Sequence, residues 1–156
     1  MKASFFLLVG ITQFALAQQQ ASHPKPEKVT LLRVEASSLG YRQEVRVTAD
    51  SLIVDEQVHS EPAQHTRYAR ALTAEEHDNL LAPFNRVYLS SLKSSYEGSN
   101  APSDAMTFEL FIQKGKKTKN IRIYMYKLLP MYTFSTRLNL LLPPRYHIGY
   151  NKQFTY

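Results

Sequence analysis

Two stretches of regular alternation joined by a tight turn constrain this chain more than any other feature in it. Met106, Phe108, Leu110 and Ile112 alternate with Thr107, Glu109, Phe111 and Gln113. Ile121, Ile123 and Met125 alternate with Arg122, Tyr124 and Tyr126, and Lys114-Gly115-Lys116 stands between the two runs. Successive side chains of a strand point to opposite faces, so the pattern predicts a β-hairpin with one face buried. A lone hairpin is marginal in water, so this one needs further strands beside it.

The first half of the chain offers them. Lys28 to Ala36 carries Val29, Leu31 and Val34, and Ser37-Ser38-Leu39-Gly40 reads as a turn. In Arg42 to Thr48, Val45 and Val47 alternate with Glu44, Arg46 and Thr48, a half-buried strand. Leu52-Ile53-Val54 follows after a short connection and should close another hairpin. Asp55 to Pro62 is polar and reads as a loop, and Thr66 to Leu72 as a fourth strand.

Helices interrupt the strands twice. Thr73-Ala74-Glu75-Glu76 is a capping box: the Thr73 hydroxyl accepts from the N–H of Glu76, and the Glu76 carboxylate accepts from the N–H of Thr73. Leu80, Leu81 and Phe84 then share a face, and Pro83 predicts a kink or an early stop. Pro130 suits a helix start, Phe134, Leu138 and Leu141 make a core-facing stripe, and Pro143-Pro144 ends it. Leu89 to Asp104, rich in Ser, reads as a long loop, and the tail from Arg145 to Tyr156 as a docked extended strand. Runs of strands separated by helices predict an α+β fold. The expectation is a small antiparallel sheet of about five to six strands with two helices packed on one face.

The 156 residues fit one domain. The first seventeen read as an export signal: Lys2, the apolar run Phe5 to Ile11, then the small-x-small triplet Ala15-Leu16-Ala17, with cleavage before Gln18. Residues 18–27 read as a flexible tether and 28–156 as the globular domain. The mature chain is expected to be periplasmic or secreted. No segment reaches the roughly 18 consecutive apolar residues of a transmembrane helix. The chain has no cysteine, which excludes disulfides, thiolate catalysis and cysteine-ligated metal.

Charge is split along the chain. After Glu109 there is no Asp or Glu, while Lys114, Lys116, Lys117, Lys119, Arg122, Lys127, Arg137, Arg145 and Lys152 follow. The formal net charge of +6 therefore comes from the last third, which also holds six of the ten tyrosines. Tyr124 and Tyr126 are expected to share a strand face with Arg122, away from Ile121, Ile123 and Met125, and such a face can stack on rings and pair with anions. Lys116, Lys117, Lys119, Arg122, Tyr124 and Tyr126 are the candidate binding residues. An anionic glycan, a lipid headgroup or an acidic protein would be the partner. Lysines at a hairpin tip also serve simply to solvate the turn.

Catalytic signatures are missing. The five isolated glycines make neither a P-loop nor a G-x-G-x-x-G fingerprint, and there is no G-x-S-x-G. His59, Glu61 and His65, with Asp55 and Glu56 before them, match no metal template, and no cofactor or specific nucleic-acid motif is indicated. Glu109 is expected to pair with Arg122 across the hairpin. The reading is a non-catalytic exported binding protein. Two alternatives stay open: a small hydrolase using carboxylates or histidines of the 55–65 loop, and a protein inhibitor or assembly subunit acting through an exposed edge strand.

Overall fold

The computed structural model describes residues 27–99 and 105–154. The expected export signal, and the expected tether except Glu27, lie outside those residues. Among the described residues seven strands form one sheet: β1 (Val29–Ser38), β2 (Tyr41–Val47), β3 (Ser51–Val58), β4 (Gln64–Ala71), β5 (Ser95–Glu97), β6 (Thr107–Lys114) and β7 (Lys117–Tyr124). Their order is β4-β3-β2-β1-β6-β7-β5. β1 to β4 form an antiparallel meander, and the β6–β7 hairpin adds to it through an antiparallel β1–β6 pairing. β5 joins the far edge parallel to β7.

The sheet is larger than expected and mixed, within the expected α+β class. The two extra gains come from stretches read as loops. Asp55 to Val58 is polar yet continues β3 across from β4, because its backbone groups find partners in the ladder from Gln64 to Arg67. Ser95-Tyr96-Glu97 is too short to show periodicity, but it pairs with Arg122, Ile123 and Tyr124. Gly98 makes this addition fit: its N–H donates to the Tyr124 carbonyl at 2.9 Å, and a Cβ there would stand 2.0 Å from the Met125 carbonyl oxygen.

Helices α1 (Ala74–Asn85) and α2 (Leu129–Leu141) cover one face. α1 begins with the expected capping box and runs two residues past Pro83. Proline has no N–H to give the carbonyl four residues back. That carbonyl, on Asn79, instead accepts from the Arg137 guanidinium of α2. Leu80, Leu81 and Phe84 of α1 and Met131, Phe134 and Leu138 of α2 are buried with Leu32, Val34, Val45, Val54, Phe108, Leu110, Ile112, Ile121 and Ile123 of the sheet.

The described part of the tail, residues 145–154, does not form a strand. It makes 3₁₀ turns at Pro144–Tyr146 and Gly149–Phe154. Its backbone is satisfied by side chains: Asn139 of α2 accepts from the Ile148 N–H at 2.8 Å and donates to the Ile148 carbonyl at 3.1 Å. Buried Gln43 donates to the Tyr146 carbonyl at 3.0 Å. The rings then fill the helix side of the sheet, Tyr146 against Tyr68 and Tyr150 against Phe108.

Candidate functional site: the open face of the sheet

All of the described helices and the tail pack on one side. On the other side, among the described residues, no side chain is buried, from β4 at one edge to β5 at the other. Period two decides which residues stand there. The register sets Arg67, Asp55, Glu44, Glu35, Glu109 and Arg122 abreast on β4, β3, β2, β1, β6 and β7. Four carboxylates thus lie side by side on adjacent strands, closed at each end by an arginine. Like charges directly opposite one another on neighbouring strands destabilise a sheet, so this row requires cations.

The neighbouring positions supply them. Arg42 donates to Glu35 at 2.8 Å and Arg46 to Glu44 at 2.5 Å. Asp55 lies 3.7 Å from Arg67 and 3.8 Å from His65, and Glu109 lies 3.8 Å from Arg122, the cross-strand pair expected from the hairpin pattern. Arg33, opposite Arg46 in the register, lies over the Phe111 ring at 5.4 Å. The pairing is layered. The three central carboxylates Glu35, Glu44 and Asp55 are 17% to 27% exposed, while Arg42, Arg46, Arg67 and Arg122 are 41% to 64% exposed. These three acids lie low beside more exposed guanidiniums, whereas Glu109 is 50% exposed. A guanidinium has five N–H donors in a planar fork, and the pairs here use only part of that capacity. The more exposed layer of this part of the face is therefore arginine.

The candidate residues read from the sequence are dispersed. Arg122 and half-buried Tyr124 stand on the open face. Met125, with φ +48°, ends the alternation, so Tyr126 leaves that face and its ring meets Tyr96 at 5.1 Å. Lys116 is exposed in the hairpin turn. Lys117 and Lys119 pair with Lys114 and Ile112, which places them toward the helix side, and Lys117 forms an ion pair with Glu27 at 3.3 Å. Lys114 is buried, donating to the Val87 carbonyl at 2.6 Å just past the end of α1, and desolvation pushes its pKa down. Lys127 lies over the Tyr132 ring and Arg145 over the Tyr146 ring.

Sequence reasoning missed Arg33, Arg42, Arg46 and Arg67. They occur in the half of the chain where acids outnumber bases, so linear charge counting hides them; the strand alternation is the signal that finds them. Of the 55–65 segment, Asp55 and His65 meet on the open face, beside a depression of about 180 Å³ that Arg42, Glu44 and Gln57 also line. Their 3.8 Å separation is longer than a hydrogen bond. Among the described residues no group of three or more His, Asp or Glu is placed to hold a metal ion, and no helix is long and apolar enough to cross a membrane. No protein-family model matches the chain, and no curated protein is significantly similar to it.

Proposed function

We propose that the chain is an exported, non-catalytic binding protein that holds an anionic polymer, an acidic envelope glycan, against the open face of its sheet. The observation that carries this reading is the layering of charge at the middle of the face: half-buried Glu35, Glu44 and Asp55 beside the more exposed Arg42, Arg46 and Arg67. Arginine matches carboxylate and sulfate geometry with two parallel bonds, which lysine does not. Seven strands at about 4.8 Å spacing give a platform close to 30 Å wide, long enough for several sugar units. Phe111 and Tyr124 offer ring edges among the guanidiniums. Lys116 at the hairpin tip lies about 20 Å along the strand from Arg122, and extends the positive field beyond the platform.

The test is titration of the mature chain with polygalacturonate by calorimetry. Replacing Arg33, Arg46 and Arg122 together with Gln should weaken binding by about tenfold or more, each lost charge-assisted contact being worth about 1–3 kcal/mol. Replacing Lys116 and Lys117 with Gln should change it by about twofold or less. Equal loss in both variants, or capture of polyglutamate in preference to the polysaccharide, would count against the glycan reading. The hydrolase alternative has the Asp55–His65 contact on its side, without a hydrogen bond between the two. The edge-strand alternative rests on β4, an eight-residue outer strand. His65, Arg67 and Arg70 along it are the kind of charges that discourage pairing with another chain.

A further inference from the structure

On the opposite side of the molecule, away from the sheet face, the two helices leave a groove between them. Its larger cavity, about 270 Å³, is walled by Pro83, Arg86 and Val87 at the end of α1 and by Leu129, Pro130 and Arg137 of α2. A smaller one of about 100 Å³ continues past Arg137 toward Leu140. Leu129 and Leu140 are 68% and 83% exposed. They are eleven residues apart on α2, about 16 Å along its axis, so an unpartnered apolar side chain stands at each end of the groove. Among the described residues, Arg86 and Arg137 are the charged ones lining the larger cavity. Among the described residues neither forms an ion pair with a carboxylate. Arg137 is held in place through the Asn79 carbonyl that Pro83 leaves free, a neutral acceptor that does not cancel its charge. The single acid of the groove, Glu76, is in the smaller cavity and is already engaged by Arg70 at 2.6 Å and by the Thr73 N–H at 2.9 Å.

The larger cavity, an apolar trough with two uncancelled guanidiniums and no acid, is complementary to an apolar chain ending in one negative group. We propose that the groove between α1 and α2 binds a free single-chain carboxylate amphiphile, a medium-chain fatty acid, with its carboxylate on Arg86 and Arg137 and its chain along Pro83, Val87, Leu129 and Pro130. At about 270 Å³ the cavity lies just below the usual 300–1,000 Å³ of small-molecule sites, a size that suits one short chain.

Decanoate below its micelle concentration, titrated into the mature chain by calorimetry, tests this. One saturable site is expected, with decanol about tenfold or more weaker, since each 1.4 kcal/mol of lost charge pairing is a factor of ten. Arg86→Gln, at an exposed residue with no ion pair to lose, should weaken decanoate by a similar factor, and Leu129→Glu should abolish binding. Arg137→Gln should act likewise but also removes the bond to Asn79, so Arg86→Gln is the deciding variant. The triple open-face variant should bind decanoate as the wild type does. Absence of a saturable site, equal affinity for decanol, unchanged binding in Arg86→Gln, or association only with vesicles of two-chain anionic lipid would overturn the proposal.

Discussion

Three single residues show how this chain resolves buried polar groups. The Tyr150 hydroxyl donates to the Tyr126 carbonyl at 2.7 Å and accepts from the Leu128 N–H at 2.9 Å, tying the tail to the start of α2. Tyr150→Phe removes both bonds and leaves the Leu128 N–H and the Tyr126 carbonyl only their mutual bond at 3.1 Å, and urea unfolding should show a loss of about 1–2 kcal/mol. Burial pushes the Tyr150 phenol up to about 12, and burial with the Glu56 carboxylate does the same to Tyr41. Both groups stay protonated in the folded chain where the unfolded chain ionises, so they stabilise fully below pH 10 and lose that contribution between pH 10 and 12. Lys114 has the opposite sign. Desolvation lowers its pKa, so the unfolded chain binds the extra proton below 10.5 and stability rises with pH as the folded amine discharges. Compared with Lys114→Met across pH 8 to 10, the wild type should gain stability; a relative loss would contradict the assignment. None of these partners is legible from sequence, because tertiary packing brings each one close: backbone groups for Tyr150 and Lys114, the Glu56 carboxylate for Tyr41. The Thr73–Glu76 capping box is legible, because both of its bonds are local.

At the scale of elements, period two and helical stripes located the strands of the meander, the β6–β7 hairpin and both helices. Misreadings fell where backbone pairing overrides pattern. The tail has alternating Tyr146, Ile148 and Tyr150, yet Asn139 satisfies the backbone of Ile148 and leaves the tail no need of a strand partner. Asn139→Ala should therefore loosen the tail before the sheet, costing about 1–3 kcal/mol and raising amide exchange at Ile148. The short parallel strand β5 is possible because Gly98 allows close approach of the Met125 backbone. Gly98→Ala should destabilise by about 1–3 kcal/mol, with chemical-shift changes concentrated in β5 and the end of β7. A change confined to Gly98 itself would show that the close approach is not maintained in solution.

At the scale of the whole molecule, the linear charge split and the folded charge distribution disagree. The basic last third is spread among a hairpin tip, a buried amine, two aromatic faces and the helix groove. The arginines that share a face come mostly from the acidic first part, gathered by the register of β1 to β4. The sequence pattern carried the information about faces, whereas strand order, which brings β1 beside β6, depends on long-range pairing that no local pattern contains. The central claim is that the outward guanidinium layer is the contact surface. Backbone and arginine side-chain chemical-shift mapping during titration with an acidic oligosaccharide tests it most directly. The largest shifts should fall on Arg33, Arg42, Arg46, Arg67 and Arg122 and shrink together as salt rises, since exposed charges are screened within about 10 Å at 0.1 M. Shifts centred on Lys116 and Lys117, or shifts on the sheet face that persist in high salt, would contradict it.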